Sequence, residues 1–193
     1  MVAIDLSFEL SAGDLWAVCR DAATAALDLL AQAGGGPPEL IGYSQMARSL
    51  STDDLPGLHH DYTYGTNVHD ALRMARRSLD KSLRPGRVLF IADTEPTAHV
   101  QDDGEPFSSY PPVPETAART LSAARQSYLA GHRVDVLLLQ EGSAFGPLAA
   151  EITSACGGAL GVLSDAGDRR AEVAAFLSQI GMIWVRRQGG VGG

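Results

Sequence analysis

Three separated stretches carry small oxygen-bearing side chains at spacings that could do chemistry together. Asp5, Ser7 and Glu9 alternate after the apolar residues 2–4, Thr66 follows Gly65 where a helical pattern begins, and Asp93 closes the apolar run 88–92. If extended geometry persists past residue 5, that alternation points Asp5, Ser7 and Glu9 the same way. Carboxylates and hydroxyls with no thiolate and no obligatory histidine suit a hard divalent cation, Mg2+ or Mn2+, which wants near-octahedral oxygen ligands and keeps some waters. The plainer alternative makes Asp5, Ser7 and Asp93 strand-end caps. Enzyme signatures are missing: there is no G-x-x-x-x-G-K-[ST] phosphate loop, no G-x-G-x-x-G fingerprint and no G-x-S-x-G nucleophile elbow. A phosphotransferring Asp5 of the haloacid-dehalogenase type wants a second Asp two residues on, where this chain has Ser7.

Positioning these side chains requires a particular order of elements. Val2-Ala3-Ile4 begins a strand running into Asp5. A helix follows Asp14, with Trp16, Cys19, Ala23, Leu27 and Leu30 at three- and four-residue spacing, until Gly34-Gly35-Gly36-Pro37-Pro38 breaks it. Residues 40–43 and 46–50 predict an antiparallel hairpin around Ser44-Gln45. Thr66 is the expected N-cap of a helix carrying Val68, Leu72, Ala75 and Leu79. Residues 87–92 form a nearly continuous apolar run, as in strands buried on both faces.

A long loop over 99–114 precedes a helix with Ala117, Leu121, Ala124 and Tyr128 along one face. Residues 134–139 predict a strand, 148–156 a helix, 159–163 a short strand and 172–180 a last helix. Strands alternating with helices imply an α/β, Rossmann-like, doubly wound three-layer sandwich, with a mainly parallel sheet and one antiparallel edge strand. In such sheets the binding crevice lies beyond the carboxyl ends of the strands. That rule selects Asp5 to Glu9, Asp93 to Glu95 and the loop before Thr66. Residues 1–183 read as one domain, and the Gly-rich 184–193 as a flexible tail.

Composition narrows the function classes. The 193 residues are 45% hydrophobic and 20% charged, as in an ordinary globular chain. Fifteen Lys plus Arg against 23 Asp plus Glu give a net charge of −8, which lacks the footprint for gripping nucleic acid. No apolar run approaches the ~20 residues a bilayer needs, and the first residues do not read as a signal peptide. The 2 cysteines, Cys19 and Cys156, fall in helical patterns and are expected as buried thiols of a cytoplasmic protein.

The set Asp5-x-Ser7-x-Glu9, then Gly65-Thr66-Asn67, then Ile91-Ala92-Asp93-Thr94-Glu95-Pro96 resembles the metal-ion-dependent adhesion site (MIDAS) of von Willebrand factor A (vWA) domains. The stretch from Glu95 to Pro112 looks more narrowly like the bacterial vWA proteins grouped with the carbon-monoxide-dehydrogenase accessory protein CoxE. The resemblance implies that Asp5, Ser7 and Thr66 contact the metal and that Asp93 acts as an acidic ligand, often through water. Glu9 stands where the family has Ser: as a ligand it would make the site net negative and fill the open position. Thr94 stands where the family has Gly and adds a hydroxyl and a Cβ at a tight spot.

His60, Glu95, His99, Phe107 and Tyr110 are the expected partner-binding rim, with His99 the foremost because it matches the family segment. The function so implied is a non-catalytic, protein-binding adaptor using a divalent-metal site. Its partner would be a protein such as a MoxR-type AAA+ ATPase or that ATPase's client. The alternative is a metal-free assembly protein binding through the 99–114 loop or the sheet edges, and a small phosphohydrolase stands behind both.

Overall fold

The computed structural model describes residues 1–34, 37–82, 84–165 and 167–183. Residues 184–193, expected as a flexible tail, lie outside the described residues. The elements alternate as the periodicity requires: strand β1 (Val2–Asp5), helix α1 (Leu15–Gln32), β2 (Leu40–Tyr43), β3 (Ala47–Leu50), α2 (Val68–Leu79) and β4 (Arg87–Ala92). Then come β5 (Ala98–Val100), β6 (Pro106–Ser108), α3 (Pro114–Leu129), β7 (Arg133–Leu138), α4 (Gly146–Cys156), β8 (Leu160–Val162) and α5 (Arg169–Gln179).

Six strands form one sheet in the order β3-β2-β1-β4-β7-β8, parallel throughout except for β3, which pairs antiparallel with β2 at the edge. Alternation along the central strands feeds two cores. Val2, Ile4, Leu89, Ile91 and Leu137 pack with α1 and α5. Ala3, Val88, Phe90, Val136 and Leu138 pack with α2, α3 and α4 on the other face. Each fully buried aliphatic side chain contributes about 1.5–3 kcal/mol, so β1 and β4, buried nearly throughout, anchor the sheet. No described helix is long and apolar enough to cross a membrane.

The chain leaves β1 towards β2 on one side and returns to β4 on the other. That reversal opens a crevice between the carboxyl ends of β1 and β4, which end at Asp5 and just before Asp93.

Four local expectations are corrected. Extended geometry stops at Asp5, because Phe8–Asp14 coils into a 3-10 segment, so Glu9 no longer alternates with Asp5 and Ser7. Asn67, not Thr66, caps α2: its side chain accepts the Asp70 amide at 2.9 Å and donates to the Gln45 carbonyl at 2.9 Å. The 99–114 segment contains a β5–β6 hairpin packed on α2 and α3. Strands this short leave no alternation to detect.

Finally, α3 buries Thr116, Thr120, Ala123, Ala124 and Ser127, while Tyr128 is 54% exposed. Thr120 and Ser127 donate their hydroxyls to carbonyls one turn back, at 2.8 and 3.1 Å. Side chains satisfied by their own helix can go inward, so the buried face keeps Ala124 and part of Leu121 from the apolar stripe, adds these hydroxyls and leaves Tyr128 out.

Candidate functional site

Backbone contacts bring the three oxygen-bearing segments together. The Ser7 amide donates to the Asp5 carboxylate at 2.8 Å and turns the chain at the end of β1. The Thr66 amide donates to Thr97 Oγ1 at 2.9 Å, and the amides of Thr97 and Ala98 both donate to the Thr66 carbonyl at 3.2 Å. Thr66 is therefore clamped onto the segment that follows β4. Gly65 before it has φ +116°, and a Cβ there would approach Ser108 Oγ to 2.9 Å. Both its backbone conformation and its surroundings call for glycine.

Asp5, Ser7 and Thr66 converge, and the atom at their meeting point is the Thr94 hydroxyl. Thr94 donates to the Asp5 carboxylate and lies 3.2 Å from Ser7 Oγ and 3.3 Å from Thr66 Oγ1. A hydroxyl offers one donor and two acceptor sites. Three such contacts use all of them, provided Ser7 and Thr66 donate.

A neutral hydroxyl supplies no charge. Burial pushes the Asp5 carboxyl up to about 6, against the pull of its hydrogen bonds from Ser7 and Thr94, and the Glu9 carboxylate adds a smaller upward push. No ion pair reaches Asp5, Glu9 or Asp93 among the described residues. Asp93 is held from the β7–α4 connection: Gln140 Nε2 donates to its Oδ2 at 2.7 Å and Ser143 Oγ to its carbonyl at 2.8 Å. Its Oδ1 is buried with no partner, as is Glu9 Oε2.

The donor types suit Mg2+. Mg–O distances are about 2.0–2.1 Å, and Thr94 Oγ1 stands 3.2 Å from Ser7 Oγ and 3.3 Å from Thr66 Oγ1, so a cation drawn in among Asp5, Ser7 and Thr66 would have to crowd or displace that hydroxyl. Among the described residues no three His, Cys, Asp or Glu side chains gather to hold a metal, leaving hydroxyls to make up any ligand set.

The expected rim separates into two groups. Tyr110, 87% exposed, borders a cleft of about 430 Å³ beside the nest, and Glu9 lines the same cleft. His60 stands near it, its ring centroid 5.8 Å from that of Phe8, and Glu95 is exposed. His99 is corrected: it is 2% exposed and turned inward, with Nδ1 2.9 Å from Thr116 Oγ1. Phe107 pairs across the hairpin with His99, ring centroids 4.9 Å apart, rather than facing the crevice. All three residues of β5 are buried beneath the hairpin, so His99 goes inside with its neighbours and the half-buried Phe107 packs against it.

Sequence reasoning missed Gln140 and Ser143, whose only signal is their place just past β7, at the same end of the sheet. It also missed the cleft walls Phe8 and Tyr64, and Arg48, which grips Asp61 bidentately at 2.7 and 2.8 Å. That guanidinium holds the Asp61 carboxyl below its usual range.

Comparison with known proteins bears on the fold and the family. A family model described as "Rv0959-like protein, vWA domain" matches residues 1–174. The uncharacterized protein Rv0959 of Mycobacterium tuberculosis is 32% identical over 142 residues, covering 70% of this chain and 21% of that protein. The chain thus spans about a fifth of the length of the curated relatives it matches. Among solved structures, the conserved hypothetical protein BatB from Bacteroides thetaiotaomicron superposes with a TM-score of 0.66 at 15% identity, covering 93% of this chain and 96% of that one. The SpRpn10 VWA domain gives 0.63 at 13% identity and 96% coverage of both chains. At these identities the likeness concerns the fold.

Proposed function

The chain belongs to the Rv0959-like vWA domain family, and from that membership we propose that it is a non-catalytic protein-docking module working without a resident cation. vWA domains typically mediate protein interactions. The docking face is the carboxyl end of the sheet, where β1, β4 and the loop before α2 meet. The observation that carries the metal-free reading is the Thr94 hydroxyl, with every hydrogen-bonding site used by Asp5, Ser7 and Thr66. Two buried free thiols, Cys19 and Cys156, support a reducing compartment such as the cytoplasm. The resemblance to CoxE-type domains nominates a MoxR-class AAA+ ATPase or its client as the partner.

A second reading keeps the cation. Asp93 Oδ1, buried and unpartnered, favours it, because a ligand position facing an absent ion would look the same. Calorimetric titration with Mg2+ and Mn2+ separates the two. The metal-free reading expects no heat of binding in the wild type and saturable heat in Thr94→Ala, where the hydroxyl is gone. Heat in the wild type that disappears in Asp93→Ala establishes the cation-dependent reading instead.

A further inference from the structure

The nest closes on itself, but the cleft beside it does not. Glu9 Oε2 is buried with no hydrogen-bond partner. An ionised carboxylate oxygen in that condition is costly unless a donor pairs with it, which a turn of the side chain towards the cleft allows. The cleft of about 430 Å³ that Glu9 lines is walled by Phe8, Tyr64 and Tyr110, which are 39%, 76% and 87% exposed. Phe8 and Tyr64 meet edge to face with centroids 6.1 Å apart, so the wall presents ring faces as well as edges. Ser108 and Thr97 add hydroxyls to the lining.

An acidic residue lining an aromatic-walled cleft is chemistry for a cation, and a planar one gains most. A guanidinium stacks on Phe or Tyr, forks onto a carboxylate and is more weakly hydrated than an ammonium. The source is a protein rather than free arginine. Tyr62 and Tyr64 continue the aromatic surface out of the cleft, offering more rigid contact area than a single amino acid covers. The net charge of −8 also favours a basic partner.

We propose that the cleft bounded by Glu9, Phe8, Tyr64 and Tyr110 receives an arginine side chain from a basic segment of the partner protein. This inverts the polarity of a cation-mediated adhesion site, in which the partner brings the carboxylate. The inference rests on the docking role proposed for this face but not on Thr94. A wild type that binds Mg2+ overturns the metal-free reading and leaves the arginine site standing.

The test is an amide-shift NMR titration of the full chain with acetyl-Gly-Arg-Gly-amide, acetyl-Gly-Glu-Gly-amide and free arginine, with EDTA present. The arginine tripeptide should produce saturable shifts at Phe8, Glu9, Tyr64 and residues 108–110. Glu9→Gln, which keeps the shape and removes the charge, should weaken it about tenfold. Tyr110→Ala should weaken it severalfold, each variant's own spectrum confirming its fold. Four results overturn the proposal: no shifts at these amides, equal binding by Glu9→Gln, equal binding of the glutamate tripeptide, or free arginine matching the arginine tripeptide.

Discussion

Asp135 and Asp5 are both fully buried carboxylates on parallel strands of one sheet, and the protein treats them in opposite ways. Asp135, early in β7, receives Arg87 Nε at 2.9 Å and Nη2 at 2.6 Å, and the Ala159 amide at 2.9 Å. Its charge is matched by a cation built into β4. Asp5, at the far end of β1, has a backbone amide and a hydroxyl for company and no cation among the described residues. Asp93 and Glu9, near the same end, each leave one oxygen without a partner. The amino-terminal side of the sheet is electrostatically closed, whereas the carboxylates at the carboxyl-terminal side have no cation among the described residues, which leaves that side electrostatically open.

This contrast yields measurable differences. Asp135→Ala strands the Arg87 guanidinium and should cost about 3 kcal/mol or more in chemical denaturation. Asp5→Asn keeps a similar shape and removes an unmatched charge, so at pH 7 it should stay within about 1 kcal/mol of wild type. Equal losses for the two would erase the distinction between closed and open ends.

A smaller effect tests the open end from its basic side. His69, in the first turn of α2, accepts the Val100 amide on Nδ1 at 3.1 Å. Burial lowers its pKa from 6.5 to about 4; Arg73, His99 and Arg119 push the same way, and Asp70 opposes them. The folded state thus prefers neutral His69. Its contribution to stability is complete above the unfolded pKa of about 6.5 and is lost as pH falls towards 4. Urea midpoints measured between pH 7 and 4 should fall less steeply in His69→Gln than in wild type. Parallel slopes would remove His69 from the account.

The fold was legible because its signals are long and redundant. Helical spacing from Trp16 to Leu30 and the apolar run 87–92 each specify an element without help, and their alternation specifies the sheet. Asp5, Ser7, Thr66 and Asp93 were legible for a related reason: each sits at an element end, and the parallel topology brings those ends to one edge. What stayed hidden depends on tertiary detail. Glu9 shares a spacing with Ser7 but not a direction, because the chain coils at Phe8. His99 looks like a solvated loop histidine until a hairpin of three-residue strands closes over it. That Thr94's hydroxyl meets all three oxygens follows from where Thr97 clamps Thr66, which no local pattern encodes.

The central claim is that Thr94 occupies the place of the cation, and the most direct measurement is a crystal of the wild-type chain soaked in Mn2+. The account predicts Thr94 Oγ1 within hydrogen-bonding distance of Asp5, Ser7 and Thr66, with no anomalous peak among them. A peak ligated by Asp5, Ser7 and Thr66, with the Thr94 hydroxyl rotated away, would contradict it.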